Sequence, residues 1–341
     1  MKHILIDPVS PHYMENKLFD LNDPILNRDN TLEPGTRLHQ ELLLQGIQMH
    51  TIDIAIERGI RGNYWNMGNL ESPYLNSKYH EHFETRNLIL FEPPVVKPFT
   101  YHKLPKYINF FDSIHVHSPD IVAPYLDIKF ASKIREFRWP IASFKTELAD
   151  FTNSRAKLLC CVIGVHHPRS KHGELYSFRT KWIAELSKFE DFDLFGMGWR
   201  WPGIRTGIWP SYIFNRRLLL RRYKGQITCK SEAMSQYEFG LCVENMRCNG
   251  YITEKIFDCL FAGAIPVYFG APNIASFIPQ NCFIELESFH DGASLIAALK
   301  SISSEKKQKY RKNIYDFLTS KAFLKFKNSL RYVIAPIKGG S

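Results

Sequence analysis

The sequence predicts an α/β protein made of two Rossmann-like halves. The chain has 341 residues, about twice the usual size of one domain. Short apolar strands alternate with helical stretches in both halves, and a polar stretch at residues 150–156 separates them. We therefore expect an N-terminal domain over residues 1–150, a C-terminal domain over residues 151–302 and a basic amphipathic segment over residues 303–341.

The hydrophobic pattern places the elements of each half in order. In the first half, strands are predicted at residues 3–7, 49–56, 87–91 and 110–118, with a helix at residues 36–45. In the second half, a buried strand at residues 158–165 precedes a helix at residues 177–189 and a strand and turn at residues 191–196. Further strand and helix alternation continues to residue 302.

Composition excludes several classes of protein. Hydrophobic residues make up 45% of the chain and charged residues 23%, which is typical of a globular protein and not of a disordered one. The apolar stretches at residues 158–165 and 259–272 are shorter than the roughly 18 to 20 residues that cross a bilayer. The amino terminus lacks the apolar core of a secretory signal, so we expect a cytoplasmic protein.

Cysteine and histidine do not form a metal-binding pattern. The seven cysteines are odd in number and several lie in apolar stretches, which predicts buried free thiols in a reducing compartment. Two groups of histidines share a strand or a loop, but neither has Asp or Cys at a metal-ligand spacing. These histidines are His115 and His117, and His166, His167 and His172. Zinc is therefore a weak interpretation.

The positive charge is concentrated at the carboxyl end. The net charge is +10, and residues 301–341 supply +8 of it with ten Lys or Arg against two acidic residues. Phe323, Phe326, Leu330 and Val333 recur there at helical spacing, which predicts an amphipathic helix. Its apolar stripe could pack on the protein beneath a solvated basic face, or contact an anionic membrane. Nucleic acid is the least favoured partner.

One βαβ unit carries the strongest functional signal. A strand at residues 239–244 is followed by a loop and by a helix that opens at residues 251–255, with Thr253 as a good N-cap. Lys255 lies in the first helical turn, where the helix dipole disfavours a cation by about 0.3 to 1 kcal/mol unless an anion binds. A diphosphate suits this position, and Glu254 could accept hydrogen bonds from a ribose. Alternatively, both are ordinary surface residues of a capped helix.

Residues 239–286 closely resemble the donor-binding signature of the α-1,3/4-fucosyltransferases, glycosyltransferase family 10, and the chain looks like a bacterial-type member. The family pattern has a strand ending in Phe-Glu-Asn, then Tyr-x-Thr-Glu-Lys, a Pro-Val strand and a Gly-x-Pro-Asn loop. The positions that match are Glu244, Asn245, Tyr251, Thr253, Glu254, Lys255, Gly263, Pro266, Gly270, Pro272 and Asn273.

The resemblance implies a GT-B fold, two Rossmann-like domains facing across a cleft, with GDP-fucose on the C-terminal domain and the acceptor sugar on the N-terminal one. It also implies inversion at the anomeric carbon and no required metal or other cofactor. Arg179 and Lys255 would bind the diphosphate, Asn245 and Tyr251 would shape the nucleotide pocket, and Glu254 would bind the ribose. Glu244 and Thr253 complete the donor-binding set.

Glu92 matches the catalytic acidic residue of the family, because it follows an apolar strand and precedes a segment in the family's order. Glu71 begins a Glu-Ser-Pro sequence that matches the family motif more literally. No apolar strand precedes it, so Glu92 is preferred. Gly164 and Val165 depart from the Ser-Asn of many members, which leaves the contacts of that loop open. Gly196 and Gly198 lack side chains and could let the donor approach the backbone closely, although a plain turn is favoured.

The acceptor would be a GlcNAc- or lactosamine-type sugar of an oligosaccharide or glycolipid, joined in an α-1,3/4 linkage. A lipopolysaccharide or capsule precursor at the inner face of the cytoplasmic membrane is the expected context, with residues 303–341 as the membrane contact. Two alternatives stay open. One is a GT-B transferase for another nucleotide sugar, and the other is a non-catalytic basic protein that binds membrane or nucleic acid.

Overall fold

A computed structural model describes residues 2–141, 154–200 and 210–334, apart from the side chains of Asp29 and Ser211. The chain divides into two compact units. The N-terminal unit contains Met1–Ser143 and Leu324–Ser341, and the C-terminal unit contains Phe144–Phe323. Each unit holds one sheet of six parallel strands with helical connections, so the predicted pair of Rossmann-like halves is confirmed.

The N-terminal sheet has the strand order β2-β1-β3-β4-β5-β6. Its strands are β1 (Lys2–Asp7), β2 (Ile47–Thr51), β3 (Gly62–Asn66), β4 (Phe83–Ile89), β5 (Ser113–Val116) and β6 (Ile134–Glu136). The helices of this half of the chain are α1 (Glu33–Leu43), α2 (Ile52–Glu57), α3 (Pro98–Tyr107) and α4 (Pro119–Val122). Strands are added on both sides of β1, so the strand order reverses there, between β1 and β3.

Two predictions for this half were wrong in detail. The strand predicted at residues 49–56 ends at Thr51, and α2 follows at once with Ile52 and Ala55 buried at helical spacing. We did not predict β3, whose sequence Gly-Asn-Tyr-Trp-Asn contains three residues of low strand propensity. All five residues of β3 are nevertheless buried, because it is a central strand of the sheet.

The C-terminal sheet has the order β12-β11-β10-β7-β8-β9. Its strands are β7 (Lys157–Val162), β8 (Phe192–Phe195), β9 (Tyr223–Gly225), β10 (Tyr237–Val243), β11 (Ile265–Phe269) and β12 (Ile284–Glu285). Its described helices are α5 (Tyr176–Leu186), α6 (Pro210–Arg221), α7 (Lys230–Met234), α8 (Glu254–Phe261), α9 (Gly292–Ser301) and α10 (Ser304–Leu318). The order reverses between β7 and β10.

The carboxyl-terminal segment is shared between the units and does not form the separate element predicted over residues 303–341. Helix α10 belongs to the C-terminal unit, whereas α11 (Leu324–Lys327) and α12 (Ser329–Ile334) belong to the N-terminal unit. The division follows from the apolar contacts, because each helix buries its stripe against the unit that it joins. The predicted boundary between residues 150 and 151 lies outside the described residues.

The apolar stripe of this segment packs on the protein. The Phe323 ring lies within 6.0 Å of the rings of Phe257, Phe261 and Phe317, and Leu330 and Val333 join the core under β1. Phe326 is also buried. This packing supports the first of the two favoured alternatives, an apolar stripe held on the protein, over contact with a membrane. In the described part of the chain, no helix combines the length and apolarity required to cross a bilayer.

One of the basic residues of this segment is structural. Arg311 on α10 is buried, donates to Gly263 O at 3.3 Å and forms an ion pair with Glu238 at the start of β10. Lys307 adds a second, longer ion pair to the same carboxylate, at 3.8 Å. A buried carboxylate and guanidinium each need a partner, so this pair fixes α10 against the sheet.

All seven cysteines are free, and every one except Cys229 is buried, so the prediction of free thiols is confirmed.

Candidate functional site

A cavity of about 200 Å³ lies at the point where the strand order of the C-terminal sheet reverses. Its walls come from the loop after β7, from the carboxyl end of β10, and from α5, α7 and α8. Open α/β sheets bind ligands at the carboxyl ends of their strands at such a reversal. The residues that the resemblance singled out are therefore gathered where the topology alone would place a ligand.

The beginning of α8 is held by a buried carboxylate. The Glu244 Oε1 atom accepts the backbone N–H of Thr253 at 2.8 Å, and Oε2 accepts the Thr253 hydroxyl at 2.7 Å. Thr253 occupies the predicted N-cap position, but its hydroxyl does not cap the helix. The prediction was wrong in this respect, because the Thr253 hydroxyl donates to Glu244 and its oxygen accepts from Lys255 Nζ. The helix begins at Glu254, as expected with Thr253 at the N-cap position.

Lys255 is oriented by its neighbours. Its Nζ atom donates to Thr253 Oγ1 at 2.8 Å and lies 3.3 Å from Glu244 Oε2 and 3.3 Å from Glu254 Oε1. Its side chain is mostly buried and lines the cavity. A bound anion would therefore meet an ammonium group that is already held in place beside the amino terminus of α8.

The two acidic residues of this group have opposite pKa shifts. Burial raises the pKa of Glu244, although Lys255 and the hydrogen bonds from Thr253 act against it. Burial alone would also raise the pKa of Glu254, but Lys255 and Lys230 outweigh it and the pKa is lowered. Glu254 therefore stays ionised at neutral pH. An ionised carboxylate can accept hydrogen bonds from ribose hydroxyl groups.

Arg179, on the second turn of α5, reaches the same cavity. Its Nη1 atom donates to Val243 O at 3.3 Å and to Asn245 Oδ1 at 3.3 Å, and its guanidinium lies 4.9 Å from the centre of the Tyr176 ring. Burial lowers the pKa of the guanidinium, although its charge is kept at neutral pH. A cation held largely out of water is a strong binding group for a diphosphate.

Asn245 joins Arg179 to the loop before α8. Its Oδ1 accepts from Arg179, and its Nδ2 lies 3.4 Å from the Tyr251 hydroxyl. The loop is also fixed from the other side, because Asn273 Oδ1 accepts the Gly250 backbone N–H at 2.8 Å. The Gly-x-Pro-Asn loop thus supports the loop that carries Tyr251.

The structure separates the predicted donor-binding residues into two groups. Arg179, Asn245, Glu254 and Lys255 line the cavity. Glu244, Tyr251 and Thr253 do not line it; they are buried behind it and position the first group.

Several lining residues were not predicted as binding residues, and His166 and Lys230 are among them. His166 follows β7, and the nearby charges of Arg179 and Lys255 add to burial in lowering its pKa. The sequence indicated His166 only as a weak candidate for a zinc ligand. Lys230 opens α7, bonds Asp258 at 3.0 Å and lines the cavity. Its position depends on the packing of α7 against α8, which no local pattern indicates.

Two glycines are required by close packing at this site. A Cβ atom on Gly270 would lie 2.5 Å from Glu244 Cγ and 2.6 Å from the Tyr268 hydroxyl. A Cβ atom on Gly196 would lie 1.9 Å from Ile163 O. Gly270 therefore makes room for the buried carboxylate, and Gly196 allows a turn against the strand end, which agrees with the plain turn that the sequence favoured.

Glu92 and Glu71 lie in different surroundings in the N-terminal unit. Glu92 follows β4, is half-buried, and its backbone carbonyl accepts the Tyr101 hydroxyl at 2.8 Å. Glu71 has a side chain that is 77% exposed and forms an ion pair with Lys103, which lowers its pKa. A surface carboxylate in an ion pair is a poor general base, so the geometry supports the preference for Glu92.

A buried acidic residue that the sequence analysis did not single out lies where the N-terminal sheet reverses its order. Asp7 ends β1, and its Oδ2 accepts the Tyr64 hydroxyl at 2.5 Å and the Asn66 amide at 3.1 Å. Burial raises the pKa of Asp7 to about 6, although hydrogen bonds from Ser72, Tyr64 and Asn66 oppose the rise.

Among the described residues, no group of three or more His, Cys, Asp or Glu side chains is placed to hold a metal ion. The expectation of a metal-independent reaction stays a prediction.

Comparison with known proteins agrees with this geometry. A family model described as glycosyltransferase family 10 (fucosyltransferase), C-terminal part, matches residues 153–327. The chain is 38% identical over 77 residues to the Helicobacter pylori alpha-(1,3)-fucosyltransferase FucT, which is 23% of this chain and 16% of that protein. It is 28% identical over 256 residues to the Xenopus tropicalis GDP-fucose protein O-fucosyltransferase 3, which is 75% of this chain and 45% of that protein. The matches thus span less than half the length of these curated relatives.

Solved structures show the same fold. An alpha1,3-fucosyltransferase crystallised with GDP matches with a TM-score of 0.51 at 18% identity, over 98% of this chain and 88% of that one. The Anabaena protein HepE in complex with UDP and glucose matches with a TM-score of 0.57 at 10% identity, over 98% of this chain and 100% of that one. The GT-B class of the fold is thereby confirmed.

Proposed function

The chain belongs to glycosyltransferase family 10, and from this premise we propose that it transfers fucose from GDP-fucose to a hydroxyl group of an acceptor. The observation that carries the proposal is the convergence of Arg179, Lys255 and the amino terminus of α8 on one cavity at the strand-order reversal. Two fixed cations beside the amino terminus of a helix are the features that bind a diphosphate.

The charge balance of the cavity suits GDP. Arg179, Lys230 and Lys255 supply three positive charges, and Glu254 and Asp258 supply two negative ones. Lys230 is bonded to Asp258 and Lys255 to Glu254, whereas Arg179 donates only to neutral acceptors in its hydrogen bonds to Val243 and Asn245. A diphosphate would gain the charge of Arg179 and would compete with Glu254 and Glu244 for Lys255. The Glu254 carboxylate could then accept hydrogen bonds from the ribose.

The proposed reaction is a single displacement that inverts the anomeric carbon. The acceptor oxygen forms a bond to that carbon as the bond to the GDP oxygen breaks, and Glu92 takes the acceptor proton. The departing GDP carries the electron pair of the broken bond, and Arg179, Lys255 and the helix dipole stabilise its growing negative charge. No metal is needed in this scheme because the protein supplies the positive charge.

Two acceptor classes are candidates. The first is a glycan hydroxyl, with an α-1,3 or α-1,4 linkage to a GlcNAc- or lactosamine-type sugar, as the family resemblance implies. The second is a hydroxyl of a protein, which is favoured by the match to a protein O-fucosyltransferase across three quarters of this chain. A lipopolysaccharide or capsule precursor as acceptor and a cytoplasmic location stay predictions.

A transfer assay tests the proposal. The protein is incubated with GDP-fucose and either N-acetyllactosamine or a mixture of Ser- and Thr-containing peptides, and products are detected by mass spectrometry. We expect an acceptor to gain one deoxyhexose, and Lys255→Ala to lower the rate. Consumption of UDP-glucose but not GDP-fucose would favour a transferase for another nucleotide sugar. A folded protein that consumes neither donor would favour the non-catalytic alternative.

A further inference from the structure

A second cavity, of about 780 Å³, lies on one face of the N-terminal sheet, toward the amino ends of β3, β4 and β5. Residues of α11 and α12 form part of its wall. Asp7, Asn66 and Glu92, at the carboxyl ends of the strands, do not line it. The cavity is therefore distinct from the predicted catalytic position, and it belongs to the unit that does not contain the proposed donor site.

The sheet face changes character at this cavity. Ile4, Ile6 and Ile89 on the same face pack beneath α1 and α12, as expected for a parallel sheet covered by helices. Toward the amino ends of the strands the face is instead polar. Strand pairing brings the following residues together there: Asn63 opposite Thr85, Trp65 opposite Asn87, and Asn87 opposite Ser113. His115 follows on β5, with its ring 5.1 Å from that of Trp65.

The polar residues form one directional chain of hydrogen bonds. The Asn87 Nδ2 atom donates to Tyr64 O at 3.1 Å and to Thr85 Oγ1 at 3.0 Å, so its Oδ1 must be an acceptor. Thr85 Oγ1 in turn donates to Asn63 Oδ1 at 2.7 Å. On the other side, Ser113 Oγ donates its single proton to Asn87 Oδ1 at 2.8 Å. These directions leave the Asn63 amide N–H groups as donors at one end of the chain.

The other end of the chain is an acceptor. Because the Ser113 proton is committed to Asn87, Ser113 Oγ must accept from His115 Nε2, 2.8 Å away. Burial lowers the pKa of His115 to about 4, and Arg135 adds to the shift, so the ring is neutral at pH 7. The proton on Nε2 then leaves His115 Nδ1 as a bare acceptor.

Four buried polar atoms of cavity-lining residues lack a hydrogen-bond partner among the residues that the structure describes. They are Asn63 Nδ2, Trp65 Nε1, His115 Nδ1 and Ser329 Oγ. Their residues are 6%, 5%, 8% and 2% exposed. Each such atom costs about 1 to 3 kcal/mol when it stays unpaired, so water or a ligand must supply the partners of these four atoms.

We propose that this cavity binds a neutral saccharide. Asn63 and Trp65 offer N–H donors, His115 offers an acceptor and Ser329 can act as either, which suits hydroxyl groups because each both donates and accepts. The volume is within the range of small-molecule sites, and Trp65, Phe137 and Tyr332 supply apolar surface for a sugar ring. The four deep atoms carry no charge, and the charged residues that also line the cavity are three cations and two acidic residues: Arg135, Arg138, Lys325, Asp112 and Glu136. This proposal goes beyond the transfer reaction.

The test observes Trp65 directly. Protein labelled with ¹⁵N at tryptophan is titrated with fucose, lactose and N-acetyllactosamine, and the indole signals are followed by NMR, with Trp65 assigned through Trp65→Phe. We expect the Trp65 signal to shift saturably with at least one sugar at millimolar concentration. Trp199 is the internal control, because its indole N–H donates to Ile163 O at 2.7 Å in the other unit. A Trp65 signal unmoved by every sugar, moved equally with Trp199, or moved by inorganic phosphate would overturn the proposal.

Ser329→Ala separates binding from folding. It removes a hydroxyl that takes no part in the hydrogen-bond chain, so the melting temperature should be unchanged or higher, whereas sugar affinity should fall about tenfold. Ser276→Ala, at an exposed position in the other unit, should leave both unchanged. Wild-type affinity in Ser329→Ala would place the sugar elsewhere and refute the site. A chain that ends at Ile334 should bind the sugar with the same affinity as the full chain. Sugar binding that appears only in this shortened chain would also refute the proposed site.

Discussion

The Glu244 carboxylate accepts both polar hydrogens of Thr253, the backbone N–H at 2.8 Å and the hydroxyl at 2.7 Å. The bonds join the end of β10 to the start of α8 and leave Thr253 Oγ1 free to accept from Lys255 at 2.8 Å. The buried Glu244 carboxylate need not touch a ligand. Through Thr253 it sets the position of Lys255, the cation that the ligand is expected to meet.

Thr253→Val keeps the side-chain shape but removes the hydroxyl. We expect the free energy of unfolding to fall by about 1 to 3 kcal/mol, because Glu244 loses a partner while it stays buried. GDP affinity should fall as well, since Lys255 loses its nearest acceptor. Urea denaturation and calorimetry measure the two effects. Thr253→Ser should restore both, and a valine variant with wild-type GDP affinity would show that Lys255 is not positioned in this way.

Gly270→Ala should disturb the same carboxylate from the opposite side. The added Cβ atom would lie 2.5 Å from Glu244 Cγ, so the side chain or the strand end must shift, at a cost of about 1 to 3 kcal/mol. We expect lower stability and weaker GDP binding. Gly35→Ala is the matched control, because its Cβ atom would meet nothing closer than 4.0 Å and its position in α1 favours alanine. Equal melting temperatures for the two variants would contradict the packing argument.

Asp7 should make stability depend on pH. Its pKa is raised from 3.8 to about 6 in the folded protein, so folding favours the protonated form. The stabilisation is complete below pH 4 and is lost as the pH rises through 6, by about 3 kcal/mol in all. In Asp7→Asn, the free energy of unfolding measured by urea denaturation should not show this fall between pH 4 and pH 7. Asp316→Asn, at an exposed helix position, should keep the wild-type curve. If Asp7→Asn and Asp316→Asn give the same dependence of the free energy of unfolding on pH, the raised pKa of Asp7 is contradicted.

Glu92→Gln should lower kcat by about 10²- to 10⁴-fold and leave GDP affinity nearly unchanged, because it would remove the proposed proton acceptor and leave the proposed GDP-binding residues in place. The Tyr101 hydroxyl bonds the backbone carbonyl of Glu92, so glutamine preserves that contact and the fold. Turnover, GDP affinity and melting temperature are measured for Glu92→Gln and for the control Glu71→Gln. Near-normal turnover in Glu92→Gln, or loss of turnover only in Glu71→Gln, would reverse the assignment.

The sequence predicted the βαβ unit of the donor site well because buried parallel strands are continuous apolar runs. Strand β11 is such a run, and Gly263 has the positive φ, 69°, of a residue that ends a helix. These features depend on local sequence. The place of Lys255 and Glu254 at the start of a helix indicated a diphosphate and ribose site, whereas Arg179 and Asn245 were found through family resemblance, because nothing local brings α5 beside α8.

Features that depend on distant partners could not be predicted. The destination of the Thr253 hydroxyl depends on Glu244, and the role of Asp7 depends on Tyr64 and Asn66 in a strand that we did not predict. The polar sheet face is a further case, because it exists only once the registers of β3, β4 and β5 are fixed. Periodicity likewise indicated an apolar stripe near the carboxyl end, but neither that it would pack on the protein nor that two units would share it.

The central claim is that the cavity between α5 and α8 holds the GDP moiety of GDP-fucose, and calorimetric titration tests it most directly. GDP-fucose, GDP and UDP-glucose are titrated into the wild-type protein, Lys255→Ala, Arg179→Ala and Lys300→Ala, the last removing a lysine from a surface ion pair. We predict that GDP-fucose and GDP bind more tightly than UDP-glucose. The first two variants should each lose about 1.5 to 3 kcal/mol of binding free energy, and Lys300→Ala should lose none. Equal affinity for GDP-fucose in all four folded proteins, or preference for UDP-glucose, would contradict the account.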